Sequence, residues 1–215
     1  MKRRTLDIIF SIGGATLAVL VLVLGLVLRS NAVFAQNYVH DQLTQQKITF
    51  TPVAGLSPEE QQSPGLVKYA GQPLTTGAQA QVYANDYIAG HLAAVNNGKT
   101  YSETSTDARA ARAAATDAQS KGAANAAQLD KAATVLEGQT QTLFRGETLR
   151  GLLLTSYGFS IFGDKAMLAS WVCLIAGFVL LLASAAGFVH AFRTSKSEAF
   201  APVETQVSQG VPAAV

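Results

Sequence analysis

One cysteine, one tryptophan and three histidines are the whole supply of several chemistry-bearing residue types in this 215-residue chain. With Cys173 as the sole cysteine, no intramolecular disulfide and no Cys-based metal site can form. Its neighbours are apolar, so the thiol reads as a small apolar filler. Charge is scarce and unpatterned, with 16 Lys/Arg against 14 Asp/Glu. Residues 29–165 carry eleven of each sign, so the surplus sits at the N-terminus, where Lys2, Arg3 and Arg4 face only Asp7. That pattern suits a membrane edge and excludes the basic footprint of a nucleic-acid binder. No nucleophile has a local base partner, and no glycine-rich phosphate loop follows a strand pattern. The sequence therefore predicts no catalytic, cofactor-binding or metal-binding residue.

Long apolar runs are present instead. Residues 8–28 are twenty-one positions without a charge. As a helix they span ~31 Å, matching a hydrocarbon core of ~30 Å. A cleaved secretory signal is the rival reading, with Val33-Phe34-Ala35 as the small-residue pattern before the cut. The run exceeds the ~7–15 residues of a signal core, which favours retention. A second run, from Ala166 to Phe192, holds no charged residue and is interrupted only by His190. Both apolar runs have basic residues on their outer chain ends, so the positive-inside rule places both termini in the cytoplasm. His190 then lies across the membrane from His40 and His91, and the two histidines and carboxylate of a non-haem iron site have no reason to converge.

The expected fold is an all-α membrane protein of the plasma membrane, with two transmembrane helices flanking an extracytoplasmic helical segment. Residues 1–7 form the cytoplasmic start, 8–28 the first span, 29–165 the extracytoplasmic part, 166–189 the second span and 190–215 a disordered cytoplasmic tail. Phe34 and Tyr38, four apart on one helical face, and Phe162 and Trp171 on the other span are the predicted interface anchors. Small-xxx-small spacings at Gly14/Ala18 and Ala183/Gly187 permit the spans to approach closely.

Within 29–165 the local signals are helical. Ser57-Pro58-Glu59-Glu60 predicts a capped helix start, with an interruption at Pro64-Gly65. Lys47–Pro52 predicts an extended connector or edge strand. Thr75 or Thr76 caps a helix to about Val95, whose large apolar residues recur every three or four positions. Asn96-Asn97-Gly98 stops it, and Thr100 with Glu103 caps the next. The alanine-rich stretch that follows has good helix propensity but little to bury, so it predicts an exposed helix or a partly disordered excursion, with a weak helix favoured. Large apolar residues are too sparse here for a big independent core, which favours a thin bundle supported by its anchors or a partner.

The stretch 142–163 leads into the second span and is amphipathic. It is too short of charge-free length to cross, and it predicts either an interfacial helix or the top of one long helix. Gly158 and Gly163 favour a break before Asp164. Arg145, Glu147, Arg150 and Tyr157 are the predicted contacts for a protein partner, with Glu147 and Arg150 able to pair at three-residue spacing.

Three pieces of the chain resemble one family: LVKYAGQPLTTGAQAQVYANDYI (66–88), NNGKTYSE (96–103) and TLFRGETLRGLLL (142–154). They are similar to a family of uncharacterised actinobacterial membrane proteins with two spans and an extracytoplasmic helical segment. Members often carry the label of aromatic ring-opening dioxygenase, which implies iron, but its ligands are not identifiable in these residues. The expected function is a structural, accessory or scaffold protein without catalytic activity, with the lipid bilayer and a protein partner or second copy as its contacts. A ligand-sensing ectodomain relaying to a separate cytoplasmic protein is the alternative. A membrane-bound iron oxygenase is the third class.

Overall fold

The computed structural model describes residues 3–193, and these are helical almost throughout, with no strand among them. The predictions made for Met1, Lys2 and the 194–215 tail lie outside the described residues. Helix α1 spans Arg3–Gln45 and the last helix, α6, spans Ala126–Arg193. Each contains a stretch long and apolar enough to cross a membrane. Between them lie α2 (Pro64–Tyr69), α3 (Gly77–Val82), α4 (Ala89–Ala93) and α5 (Tyr101–Ser120). A π-helical turn, Tyr83–Ile88, joins α3 to α4, so 77–93 forms one rod. Contacts divide the chain into two units: Met1–Ser30 with Ala166–Val215, and Asn31–Lys165.

In the first unit α1 and α6 pack antiparallel along a seam of small residues. Ser11, Ala18 and Gly25 on α1, and Ser170, Gly177, Ser184 and Ala191 on α6, are the buried positions. Both sets recur every seven residues. That 3.5-residue period keeps the seam facing the partner through a left-handed supercoil. The absence of side-chain bulk brings backbone to side chain: a Cβ on Gly177 would meet Leu22, and one on Gly25 would meet Leu174 and Cys173. The Ser170 hydroxyl donates to the Gly25 carbonyl at 2.8 Å. Of the small residues named from sequence, Gly14, Ala18 and Gly187 line this seam. Ala183 is exposed, and Ser184, about 100° further round the helix, takes its place.

The second unit has an ordinary interior. Val39 and Leu43 of α1, Leu92 of α4 and Leu143 of α6 are completed by Leu66 of α2 and by Phe50, Leu56 and Leu74 from the connecting segments.

 Leu153, on α6, is buried in that same cluster. Phe50 is nearly inaccessible, with its ring edge-on to Tyr83 at 5.3 Å and tilted against Tyr69 at 5.6 Å. The predicted extended connector holds: the Phe50 amide donates to the Gln72 carbonyl and the Gly71 amide to the Phe50 carbonyl, around a Thr49–Pro73 bridge.

Most local caps form as read. Ser57 and Glu60 exchange side-chain and backbone bonds at 2.8 and 3.2 Å, as do Thr100 and Glu103 at α5, and Thr76 with Gln79 at α3. Asn96 and Asn97 take left-handed conformations and end the 77–93 rod. Three expectations are corrected. The Ser57 box starts only a 3-10 turn, Glu60–Gln62, and Pro64 does not interrupt a helix but begins α2, with Ser63 as its cap. The alanine-rich stretch forms the expected helix, α5, but it is twenty residues long and not wholly exposed, since Thr104, Ala108, Ala115 and Ala118 form a buried line on it. Finally, α6 has no break before Asp164. Gly163 does not bend it: the missing Cβ admits Ala32, Ala35 and Gln36 of α1 instead.

Candidate functional site

The predicted partner-contact residues sit on α6, where it carries two neighbouring faces. Leu143, Gly146, Arg150, Leu153, Tyr157 and Ser160 follow three- and four-residue steps and face inward. The 77–93 rod lies on this face: Gly146 adjoins Leu92, and Gly77 adjoins Tyr157 and Ser160. Arg145, Leu149, Leu152, Ser156 and Phe159 form a second stripe, about 100° round the helix.

The four named residues are therefore not one surface. Arg150 is a pin between helices: Nη1 donates to Glu147 at 3.3 Å and Nη2 to the Asn85 side chain at 3.4 Å, while Nε is buried. The Glu147–Arg150 pair forms at the expected spacing but is exposed enough that it contributes only ~0.2–0.5 kcal/mol. Tyr157 lies beside the start of α3. Arg145 alone belongs to the outward stripe.

That stripe borders a groove of about 380 Å³, whose other wall is α1 at Tyr38 and Gln42 and the turn after it at Gln46. No charged side chain lines it. Phe34 and Tyr38 stack at 5.8 Å as their spacing requires, and both are exposed, as are Leu152, Phe159 and Phe162. Trp171, in the other unit, is also exposed and carries the Arg29 guanidinium over its ring at 5.4 Å.

A second concavity went unread in the sequence. Glu59, Glu60, Asp86, Tyr87 and His91 line an acidic cleft of about 580 Å³. Ser63 donates to Asp86 at 2.6 Å, and His91 Nδ1 lies 2.8 Å from the Tyr87 carbonyl and 3.8 Å from Glu60. The π turn offsets Asp86 and Tyr87 from straight α-helical register, which no residue spacing discloses. The capped Ser57–Glu60 turn was the one legible signal. Burial, and then Tyr87 beside it, push the Tyr83 hydroxyl above its usual range. His40 lines a different cleft, with Thr76 and Tyr157. Among the described residues no group of three or more His, Cys, Asp or Glu is placed to hold a metal ion.

No family model, curated protein or solved structure matches this chain. The geometry must carry the functional reading. It contains an uncharged groove, an acidic cleft and two long apolar helices, and each has a different chemical capacity. The groove can take an apolar side chain or helix. The cleft favours a cation, since three carboxylates outnumber one histidine.

Between α5 and α6 a polar network adds to the packing of Tyr101 on Phe144 and of the buried alanines. Arg112 donates to Glu137 at 2.8 Å, to Thr134 at 3.1 Å, and to Asp130. Glu137 and then Asp130 hold its guanidinium more firmly protonated than usual. Arg112 in turn holds the Glu137 carboxyl below the usual range. This clasp ties α5 to α6.

Proposed function

We propose that this chain is a two-pass plasma-membrane protein whose helical extracytoplasmic segment acts as an accessory or scaffold element, binding a protein rather than transforming a substrate. Residues 8–28 and 166–189 would be the spans, both termini would be cytoplasmic, and 29–165 would present the contact surface. The observation that carries this reading is the pair of long apolar helices whose large side chains face outward, Phe10, Leu20, Val172, Ile175 and Phe178 among them. The core helix of a water-soluble domain would bury such residues. The bonded contact between α1 and α6 at Gly25 and Ser170 supports α1 being retained rather than cleaved.

Alkaline carbonate washing of membranes, combined with maleimide labelling of single cysteines placed at Val53 and Thr5 in a Cys173→Ser background, tests it. The reading requires retention in the membrane, and labelling by an impermeant reagent at position 53 but not at position 5. Release by carbonate, or labelling at both positions from outside, would overturn it.

The acidic cleft favours a second reading, a sensor for a small cationic ligand that signals through a separate cytoplasmic protein. A thermal-shift screen of organic cations against wild type and Asp86→Asn tests that reading. If no compound gives a shift that the substitution removes, the sensor reading fails.

A further inference from the structure

Phe34, Tyr38, Leu149, Leu152 and Phe159 expose between 38% and 65% of their surface, all within the unit that spans residues 31–165. At ~150–250 Å² per aromatic side chain, and somewhat less per leucine, they leave roughly 500 Å² of apolar surface open. The largest apolar patch on a typical monomer is ~300–600 Å² and is often functional, so this one marks a contact surface. We propose that a second copy of this chain packs on the groove between the end of α1 with its following turn, residues 38–46, and residues 149–159 of α6, making the protein a parallel dimer. The proposal rests on the two-pass reading, which holds both copies side by side in one orientation.

Three observations select a second copy. The first is size. Homodimer interfaces are about 65% apolar, so roughly 500 Å² of apolar surface corresponds to ~800 Å² per partner, the standard half of a specific interface. The second is charge. In a twofold contact each surface meets itself, so charged groups in its middle would repel. The groove has none, and its polar lining is Gln42, Gln46, Thr155 and Ser156. Arg145 lies one turn beyond Leu149, at the rim, where charge is tolerated. The third is spacing. The stripe, at 149, 152, 156 and 159, has the three-four-three spacing of a coiled-coil seam, which suits a parallel partner helix.

The test uses the full chain in native membranes, in a Cys173→Ser background. Leu152→Cys and Ser156→Cys should each give a crosslinked species of twice the chain mass with a short bis-maleimide, and Val53→Cys, away from the groove, should not. Leu152→Arg, at an exposed position where folding is unaffected, should lower dimer recovery at least tenfold in mass measurements of the chain in nanodiscs. Absence of a dimer-mass product at both 152 and 156 would overturn the proposal. So would a product of another mass, which identifies a different occupant, or a dimer that Leu152→Arg leaves intact. Carbonate washing of the same membranes separates the two failures: a chain that is retained but monomeric sinks the dimer alone, whereas a chain that washes off sinks the two-pass reading.

Discussion

Replacing Gly77 by alanine should destabilise the unit of residues 31–165 even though it places a better helix former in a helix. Gly77 is the first residue of α3, and a Cβ there would overlap the Ser160 side chain and approach the Tyr157 Cα at 3.3 Å. Helix propensity alone would favour alanine by at most ~1 kcal/mol. Overpacking against an unyielding neighbour costs ~1–3 kcal/mol, and here part of the obstruction is backbone, which cannot rotate away. The net expectation is a loss of ~1–2 kcal/mol. Gly90→Ala is the matched control, because nothing lies within 4 Å of its added methyl. It should stabilise by ~0.5–1 kcal/mol. Removing the obstruction with Ser160→Gly should make Gly77→Ala less harmful in that background, so a double-mutant cycle should give a favourable coupling of at least ~1 kcal/mol. Thermal unfolding of the detergent-solubilised chain reads the order of stability, with ~3 °C expected per kcal/mol for a unit of this size. If Gly77→Ala and Gly90→Ala shift the midpoint equally and in the same direction, the 77–93 rod does not dock on α6 as described.

Three further outcomes follow from the same contacts. Phe50→Ala should cost ~3–5 kcal/mol and lower hydrogen-exchange protection of the Phe50 and Gly71 amides by two or more orders of magnitude, whereas exposed Val53→Ala should leave them within a few-fold. Acid should loosen α5. The backbone N–H and hydroxyl of Thr100 lower the Glu103 carboxyl, and Arg112 lowers Glu137, so each contributes stability that is present above the unfolded value near 4.5 and lost as pH falls through the depressed folded value. Exchange at the α5 amides should accelerate below about pH 4.5 in wild type and show a weaker acid dependence in Glu103→Gln with Glu137→Gln; equal acid dependence in both would refute the assignment. Purified protein should contain no stoichiometric iron by elemental analysis, and a chelator should leave its unfolding midpoint unmoved. Retained iron would revive the oxygenase class.

What could be read in advance was local. A capping box joins residues three apart, so Thr100 with Glu103 and Ser57 with Glu60 announce themselves whatever the fold does. The Asn96-Asn97-Gly98 stop is equally self-contained. Gly163 misled for the opposite reason. Its propensity says break, but its position opposite Ala32 and Ala35 says contact, and that partner is some 130 residues away in the chain. The inner core was hidden likewise: Phe50, Leu66 and Leu74 come from short connecting pieces with no shared periodicity. The predicted contact set divides because neighbours in sequence between 145 and 157 lie on different faces of the helix. Helical phase places Arg150 and Tyr157 against the rod and Arg145 on the outward stripe.

The two units use residue size in opposite senses, and that contrast bears on the solvent each one meets. Between residues 31 and 165 the large side chains are inside: Phe50, Leu66 and Leu74 are buried almost completely. Where α1 pairs with α6 in the other unit, the inside is Ser11, Ala18, Gly25, Ser170 and Ser184, and the outside is phenylalanine, leucine, isoleucine and valine. In water such an arrangement would forgo ~1.5–3 kcal/mol for every large side chain left out, a loss that no serine seam could offset. In hydrocarbon those side chains gain nothing by turning inward, and close backbone approach, dispersion and the Ser170–Gly25 hydrogen bond become the attractive forces that remain. The inside-out seam supports the proposed two-pass reading beyond length and hydropathy, because a buried core helix or a signal sequence can match both of those but neither has reason to place its small residues every seven positions against a partner helix.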